Sequence, residues 1–170
     1  MLFSILVENF NMKHVSFSSI EAAIKVVDNL DDDQLEAISK KYADAQPILL
    51  NYVMSAPEEY ENDELSPLLI YYFCLISECF EQQGLSIKSV TEDDIDQFEE
   101  PYFELLDSYF DSENEEILDD FCDQPELIRF MLMEISTEDE DGTSFDDETA
   151  TQLFIVSAAM ISLMGRSIRP

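Results

Sequence analysis

The sequence predicts an all-α protein, a multi-helix bundle built from two tandem similar helical units of about four helices each. Three observations lead there. Apolar residues recur at helical spacing along most of the chain. Only three Gly and six Pro interrupt its 170 residues, which disfavours a turn-rich β architecture. The stretch Ile38–Met54 also recurs at Ile117–Leu132. With Ala45 skipped, Ile38 aligns with Ile117, Tyr42 with Phe121, Asp44 with Asp123, and Gln46-Pro47 with Gln124-Pro125. Leu49, Leu50, Tyr52 and Val53 then fall on Leu127, Ile128, Phe130 and Met131. A repeat of this kind points to internal duplication, with residues 1–17 an N-terminal segment of uncertain structure, 18–88 a first unit and 89–170 a second.

Within the first unit, Ser18 or Ser19 is the expected N-cap of a helix whose inner face is Ile20, Ala23, Ile24 and Val27. Asp31-Asp32-Asp33 ends that helix and caps the next, which turns Leu35, Ile38 and Tyr42 inward. Gln46-Pro47 starts a third helix, since proline at the first helical position lacks only an N–H that would be unpaired there anyway. It ends near Ala56-Pro57. After the acidic connection 58–64, the run from Pro67 to Phe80 is apolar on every side and reads as a buried central helix. Gly84 stands where a left-handed terminating glycine belongs.

The second unit repeats the plan. Ile24, Val26, Val27 and Asp28 align with Phe103, Leu105, Leu106 and Asp107, which sets Pro101 opposite Ala22 and near the start of its helix. Leu153–Met164 is a second all-apolar helix, with Ile161-Ser162 matching Ile76-Ser77 and Gly165 at its C-terminus. At twelve residues this run is too short to span a bilayer. The apolar start, residues 1–7, lacks the basic flank of a signal peptide. Cys74, Cys79 and Cys122 follow no disulfide spacing and are expected to be reduced, which places the chain in the cytoplasm.

Charge carries most of the functional information. The formal net charge is −31, from 39 acidic and 8 basic residues. A hydrophobic content of 46% nevertheless separates the chain from disordered acidic tails. Direct nucleic-acid binding is excluded, because it needs Lys and Arg to displace counterions. An anionic membrane is disfavoured for the same reason. The excess is uneven: residues 1–88 carry net −10, whereas 89–165 carry net −23 with Arg129 the one basic residue. Lys40-Lys41 align with Asp119-Asp120. Function is therefore expected in the second half, on Asp93, Asp94, Asp96, Glu99 and Glu100, then Asp111, Glu113, Glu115, Glu116, Asp119, Asp120 and Asp123. Carboxylates on rigid helices attract a basic partner over long range, and Tyr102, Phe103, Tyr109 and Phe110 offer contact area.

Other chemistry is thin. Residues 137–148 resemble an EF-hand calcium loop over twelve residues, with Gly142 at position 6 and Asp139, Asp141 and Glu148 at positions 3, 5 and 12. Thr137 replaces the usual first aspartate, and Ser144 stands where an apolar residue is normal. His14 is the single histidine, too few for the Glu-x-x-His pairs of a di-iron bundle. No glycine-rich phosphate cradle or C-x-x-C pair occurs. Glu78, alone among apolar neighbours, is expected at an exposed helix edge. No cofactor and no enzymatic activity are expected. The reading is an acidic all-α interaction protein that inhibits or neutralises a basic, nucleic-acid-handling protein, a nuclease or a DNA-binding protein. In physical character it resembles nuclease-type immunity proteins and phage-type DNA mimics. A helical-repeat adaptor with an apolar groove and a calcium-responsive protein are the alternatives, and a homodimer stays open.

Overall fold

The computed structural model describes residues 13–114, 116–138 and 142–170, with the backbone alone at 119 and 120. The elements are α1 (Phe17–Asp28), α2 (Asp32–Ala45), α3 (Pro47–Met54), α4 (Ala56–Glu59), α5 (Leu65–Gln82), α6 (Glu92–Ser112), α7 (Glu116–Phe121), α8 (Pro125–Ser136) and α9 (Asp147–Arg166). The fold is all-helical, and no strand occurs among the described residues. The segments leaving α5 and α9 meet in one antiparallel bridge at Ile87 and Ile168. There the Lys88 N–H donates to Ser167 O and the Arg169 N–H to Ser86 O, both at 2.8 Å.

The two longest apolar runs become the centre. α5 buries Leu65, Leu69 and every residue from Tyr72 to Phe80. α9 buries thirteen residues between Thr149 and Met164. These helices pack on each other, with α1, α2 and α3 against α5 and with α6 and α8 against α9. Each fully buried Leu, Ile or Phe contributes on the order of 1.5–3 kcal/mol of transfer free energy. α9 begins at Asp147, six residues before the apolar run, because Asp146 caps it through the Thr149 N–H at 2.7 Å. By length and composition α9 would suit a membrane, yet 72% of that window is buried inside the fold.

Local signals hold where local chemistry decides. Asp31 caps α2 in a capping box with Gln34. Pro47 and Pro125 open α3 and α8. Gly84 has φ +76°, with its N–H on Glu81 O and the Leu85 N–H on Phe80 O. That is a Schellman ending for α5.

Three expectations change. The N-cap of α1 is Ser16, which accepts the Ser19 N–H; Ser18 and Ser19 lie inside the helix. Pro101 sits in the interior of α6, since Thr91 and Asp94 form a capping box that starts the helix at Glu92. Pro101 is exposed, so the carbonyl it leaves unbonded one turn back faces a solvated side of the helix. Gly165 lies within the last turn of α9, where a Cβ would come within 3.4 Å of the Gln124 side chain.

Gln124 explains the first of these changes, and Gln46 acts in the same way at the entry to α6. Each precedes a Pro-initiated helix in nearly the same conformation, φ −134°, ψ 59° and φ −125°, ψ 65°. Neither side chain caps its own helix. Gln124 instead donates to Lys13 O (2.8 Å) and accepts the Val15 N–H (2.7 Å), fixing the chain as it enters α1. Gln46 donates to Lys88 O (2.9 Å) and accepts the Val90 N–H (2.8 Å), fixing the chain as it enters α6. Both glutamines are buried, as are Val15 and Val90. Gln124→Ala or Gln46→Ala therefore strands a buried N–H and is expected to cost about 1–3 kcal/mol in urea denaturation. Gln34→Ala, which opens an exposed capping box, should cost about 1 kcal/mol or less. Equal losses at all three positions would refute the clamp.

Candidate functional site

On an α-helix each residue advances by about 100°, so phase decides which acids act together. In α6, Ile95, Phe98, Tyr102 and Leu106 face the core. Diametrically opposite, Asp93, Asp96, Glu100, Glu104, Asp107 and Asp111 share one stripe within about 80°, and all six are exposed. α6 carries nine carboxylates in 21 residues and no basic residue. At about 1.5 Å per residue this is one charge per roughly 3.5 Å, close to the axial density of one nucleic-acid strand and half that of duplex DNA. Phe103 and Phe110, at 48% and 45% exposure, flank the stripe on one side.

The structure sorts the sequence-predicted acids. Asp93, Asp96, Glu100 and Asp111 belong to the stripe, and Glu104 and Asp107 complete it without having been singled out. Asp94 is occupied by the capping box, accepting the Thr91 N–H at 2.9 Å. Glu99 is half-buried and lies near the Tyr52 phenol. Glu113 is the left-handed C-cap of α6, φ 53°; Glu116 and Asp123 are exposed on either end of α7, which packs against α6. Glu115 and the side chains of Asp119 and Asp120 lie outside the described residues. Tyr102 is core, stacked on Phe98 at 4.7 Å. Tyr109 leans on Phe154 at 5.9 Å.

The calcium candidates Asp139 and Asp141 also lie outside the described residues, while Glu148 is exposed in the first turn of α9 and its Oε1 accepts from Gln152 Nε2 at 3.4 Å. Among the described residues no group of three or more His, Cys, Asp or Glu is placed to hold a metal ion. His14 is half-buried in the segment entering α1. Cys74, Cys79 and Cys122 are free and buried. Burial pushes the Cys79 thiol up to about 12, with the Glu78 carboxylate adding to the shift.

The first half holds a feature that sequence reasoning missed. Glu78 is buried at 6% exposure and is not at an edge. One of its oxygens accepts from the Tyr42 hydroxyl and the other from Gln82 Nε2 at 2.8 Å. The same hydroxyl reaches Glu81 Oε2 at 2.8 Å, and Lys41 Nζ forks onto both Glu81 oxygens at 2.8 and 2.7 Å. Hydrogen bonds from Lys41 and Tyr42 hold the Glu81 carboxyl below its ordinary range. Beside this network a cavity of about 380 Å³ opens between α2, α5 and residues 84–87. Glu78 became legible only with its partner, thirty-six residues away in Tyr42.

No family model, no curated protein and no solved structure matches this chain.

Burial, then the carboxylates of Glu99 and Glu59, pushes the Tyr52 phenol up to about 12. Burial raises Tyr42 and Tyr71 further, aided by Glu78 and Glu81 at Tyr42 and by Asp28 at Tyr71. Because folding raises these pKa values, the unfolded chain releases the protons first. Their stabilising contribution is complete below the ordinary tyrosine value of 10.0 and is lost as pH rises through about 12 for Tyr52. Phenolate absorbance is expected to rise in step with unfolding in that window. Seven tyrosines titrating together near 10 in a still-folded protein would contradict this assignment.

Proposed function

We propose that the chain is a non-catalytic, acidic all-α interaction protein that neutralises a basic, nucleic-acid-handling protein partner in the cytoplasm. The observation that carries the reading is the α6 stripe, six exposed carboxylates in one phase with Phe103 and Phe110 at its margin. The stripe supplies long-range attraction, and the two rings supply contact area that an ion atmosphere alone lacks. With one carboxylate per roughly 5 Å along the stripe and one per roughly 3.5 Å over the whole helix, the helix competes for a groove built to grip a nucleic-acid backbone.

The reading includes an ancient duplication, with α1, α2, α3 and α5 corresponding to α6, α7, α8 and α9. It is supported by the shared Gln-Pro helix starts and their paired clamps. The sequence Ser-Ile-Lys at 86–88 also recurs as Ser-Ile-Arg at 167–169. Counted from the caps Ser16 and Thr91, the buried Ile20, Ala23 and Val27 match Ile95, Phe98 and Tyr102. That register lies one turn away from the pairing of Ile24 with Phe103. Under this reading the core is shared and charge is what diverged.

The test compares the natural chain with a variant in which Asp93, Asp96 and Asp107 become Asn, Glu100 and Glu104 become Gln, and Asp111 becomes Asn. Capture from host lysate at about 0.1 M salt, within the range where screening is incomplete, is expected to recover a nuclease or DNA-binding protein that is lost at about 0.5 M. For the purified pair, the variant should slow association by about tenfold or more while leaving helicity intact. Binding that ignores both salt and the six substitutions would overturn the proposal.

A further inference from the structure

Five large apolar side chains are exposed among the described residues: Phe17, Ile70, Phe103, Phe110 and Met133. Two of the five, Phe103 and Phe110, share one flank of α6. They are seven residues apart and about 20° apart in phase, which sets them roughly 10 Å apart along the axis. Beside Phe103 this flank dips into a shallow cleft of about 40 Å³, walled by Tyr52, Tyr60 and Ile155. The opposite flank is different. Gln97, Pro101 and Ser108 are exposed there, and no ring is. The outer face of α6 is therefore one-sided, with a row of carboxylates, aromatic surface along one edge and small polar surface along the other.

A single nucleic-acid strand freed from its duplex has the same order, a row of charges with flat rings to one side. A duplex does not: its phosphates run in two rows across each groove, and its bases are stacked inside. The row on α6 is single. Among the described side chains the α7 segment adds only Glu116 and Asp123, at its two ends. Spacing separates the two cases as well. Along the stripe itself successive carboxylates are roughly 5 Å apart, wider than the ~3.4 Å per phosphate of a strand within duplex DNA. A strand drawn out of its stack departs from the duplex in that same direction.

Resting on the role assigned above to the α6 face, we propose that its partner is a single-strand-binding protein, and that Phe103 and Phe110 take the places of bases. Proteins that hold single strands without sequence preference combine a basic groove for the backbone with aromatic platforms on which bases stack. Such a groove offers cations to the stripe and flat rings to both phenylalanines at once. A duplex-binding surface makes most of its contacts to phosphate and sugar, which leaves the two rings unmatched. A second copy of this chain is a poor occupant, because it would bring another net charge of −31 against the stripe.

The test takes the protein captured from host lysate, purified and loaded in turn with two fluorescent probes, a single-stranded oligo(dT) and a duplex of equal length, at about 0.15 M salt. The captured protein is expected to hold oligo(dT) at least about tenfold more tightly than the duplex, and the full chain to release it in competition. Phe103→Ala with Phe110→Ala should weaken that release by about tenfold or more, with helicity unchanged. Phe103→Leu with Phe110→Leu keeps apolar area without a flat face and should stay at least about threefold weaker than the natural chain. Gln97→Ala with Ser108→Ala, on the polar flank, should stay within about twofold of it. Preference for the duplex, or full release by both phenylalanine variants, would overturn the single-strand assignment while leaving the acidic face as a competitor. Release of neither probe, or no captured protein, would overturn it together with the reading of that face. A dimer of the chain seen by light scattering and abolished by the alanine pair would assign the rings to self-association instead.

Discussion

The packing of α5 against α9 is the constraint on which the rest of the structure depends. A chain with a net charge of −31 repels itself, and that repulsion is smallest when the chain is expanded. A dry apolar centre must offset it. α5 is buried on all sides from Tyr72 to Phe80, and α9 buries thirteen residues. The remaining helices are then free to be amphipathic, with one face on this pair and the other given to carboxylates. Exposed pairs such as Lys40–Asp44 add little. Stability comes from the centre, and the surface is left for something else.

That division explains why α6 has its form. Its apolar residues recur on one side from Ile95 to Leu106, and its acids occupy the opposite phase. A helix built only for solubility would mix signs, because alternating charge stabilises a helix by a few tenths of a kcal/mol per pair. α6 forgoes those pairs and sets like charges one turn apart, which is locally unfavourable. Two exposed phenylalanines beside the stripe are a further departure from a purely solvated face. Repulsion and apolar exposure on one helix would both be relieved by the basic, partly apolar surface proposed as its partner.

Much of the fold was legible because its signals are local or massed. The all-helical class followed from periodicity, the central helices from unbroken apolar runs, and the start of α2 from the Asp31-Asp32-Asp33 run. What stayed hidden depends on distance in sequence. Ser16 caps α1 because Gln124 pins Val15 across 109 positions, whereas Ser18 and Ser19 look better locally. Glu78 seemed a surface residue because its phenol partner is in another helix. The start of α6 was obscured differently. Its acids read as partner-facing charge and Pro101 as lying near the helix start, although Thr91-Glu-Asp-Asp94 contains a capping-box pattern. The stripe itself was readable by phase, and grouping the acids by adjacency split it and passed over Glu104 and Asp107.

The two glutamine clamps bear on how such a fold is held together. Each half uses its buried amide to fix the strand-like entry of the other, and the Ile87–Ile168 bridge joins the two exits. Cross-bracing of this kind couples the halves through hydrogen bonds that exist only when both are folded. Apolar packing alone is tolerant of sliding and repacking; a buried amide with both ends matched is not, because any shift leaves a donor and an acceptor stranded. The clamps therefore set register where the apolar faces would not. A rigid register is what allows one acidic helix to present its charges as a fixed pattern rather than as a diffuse cloud.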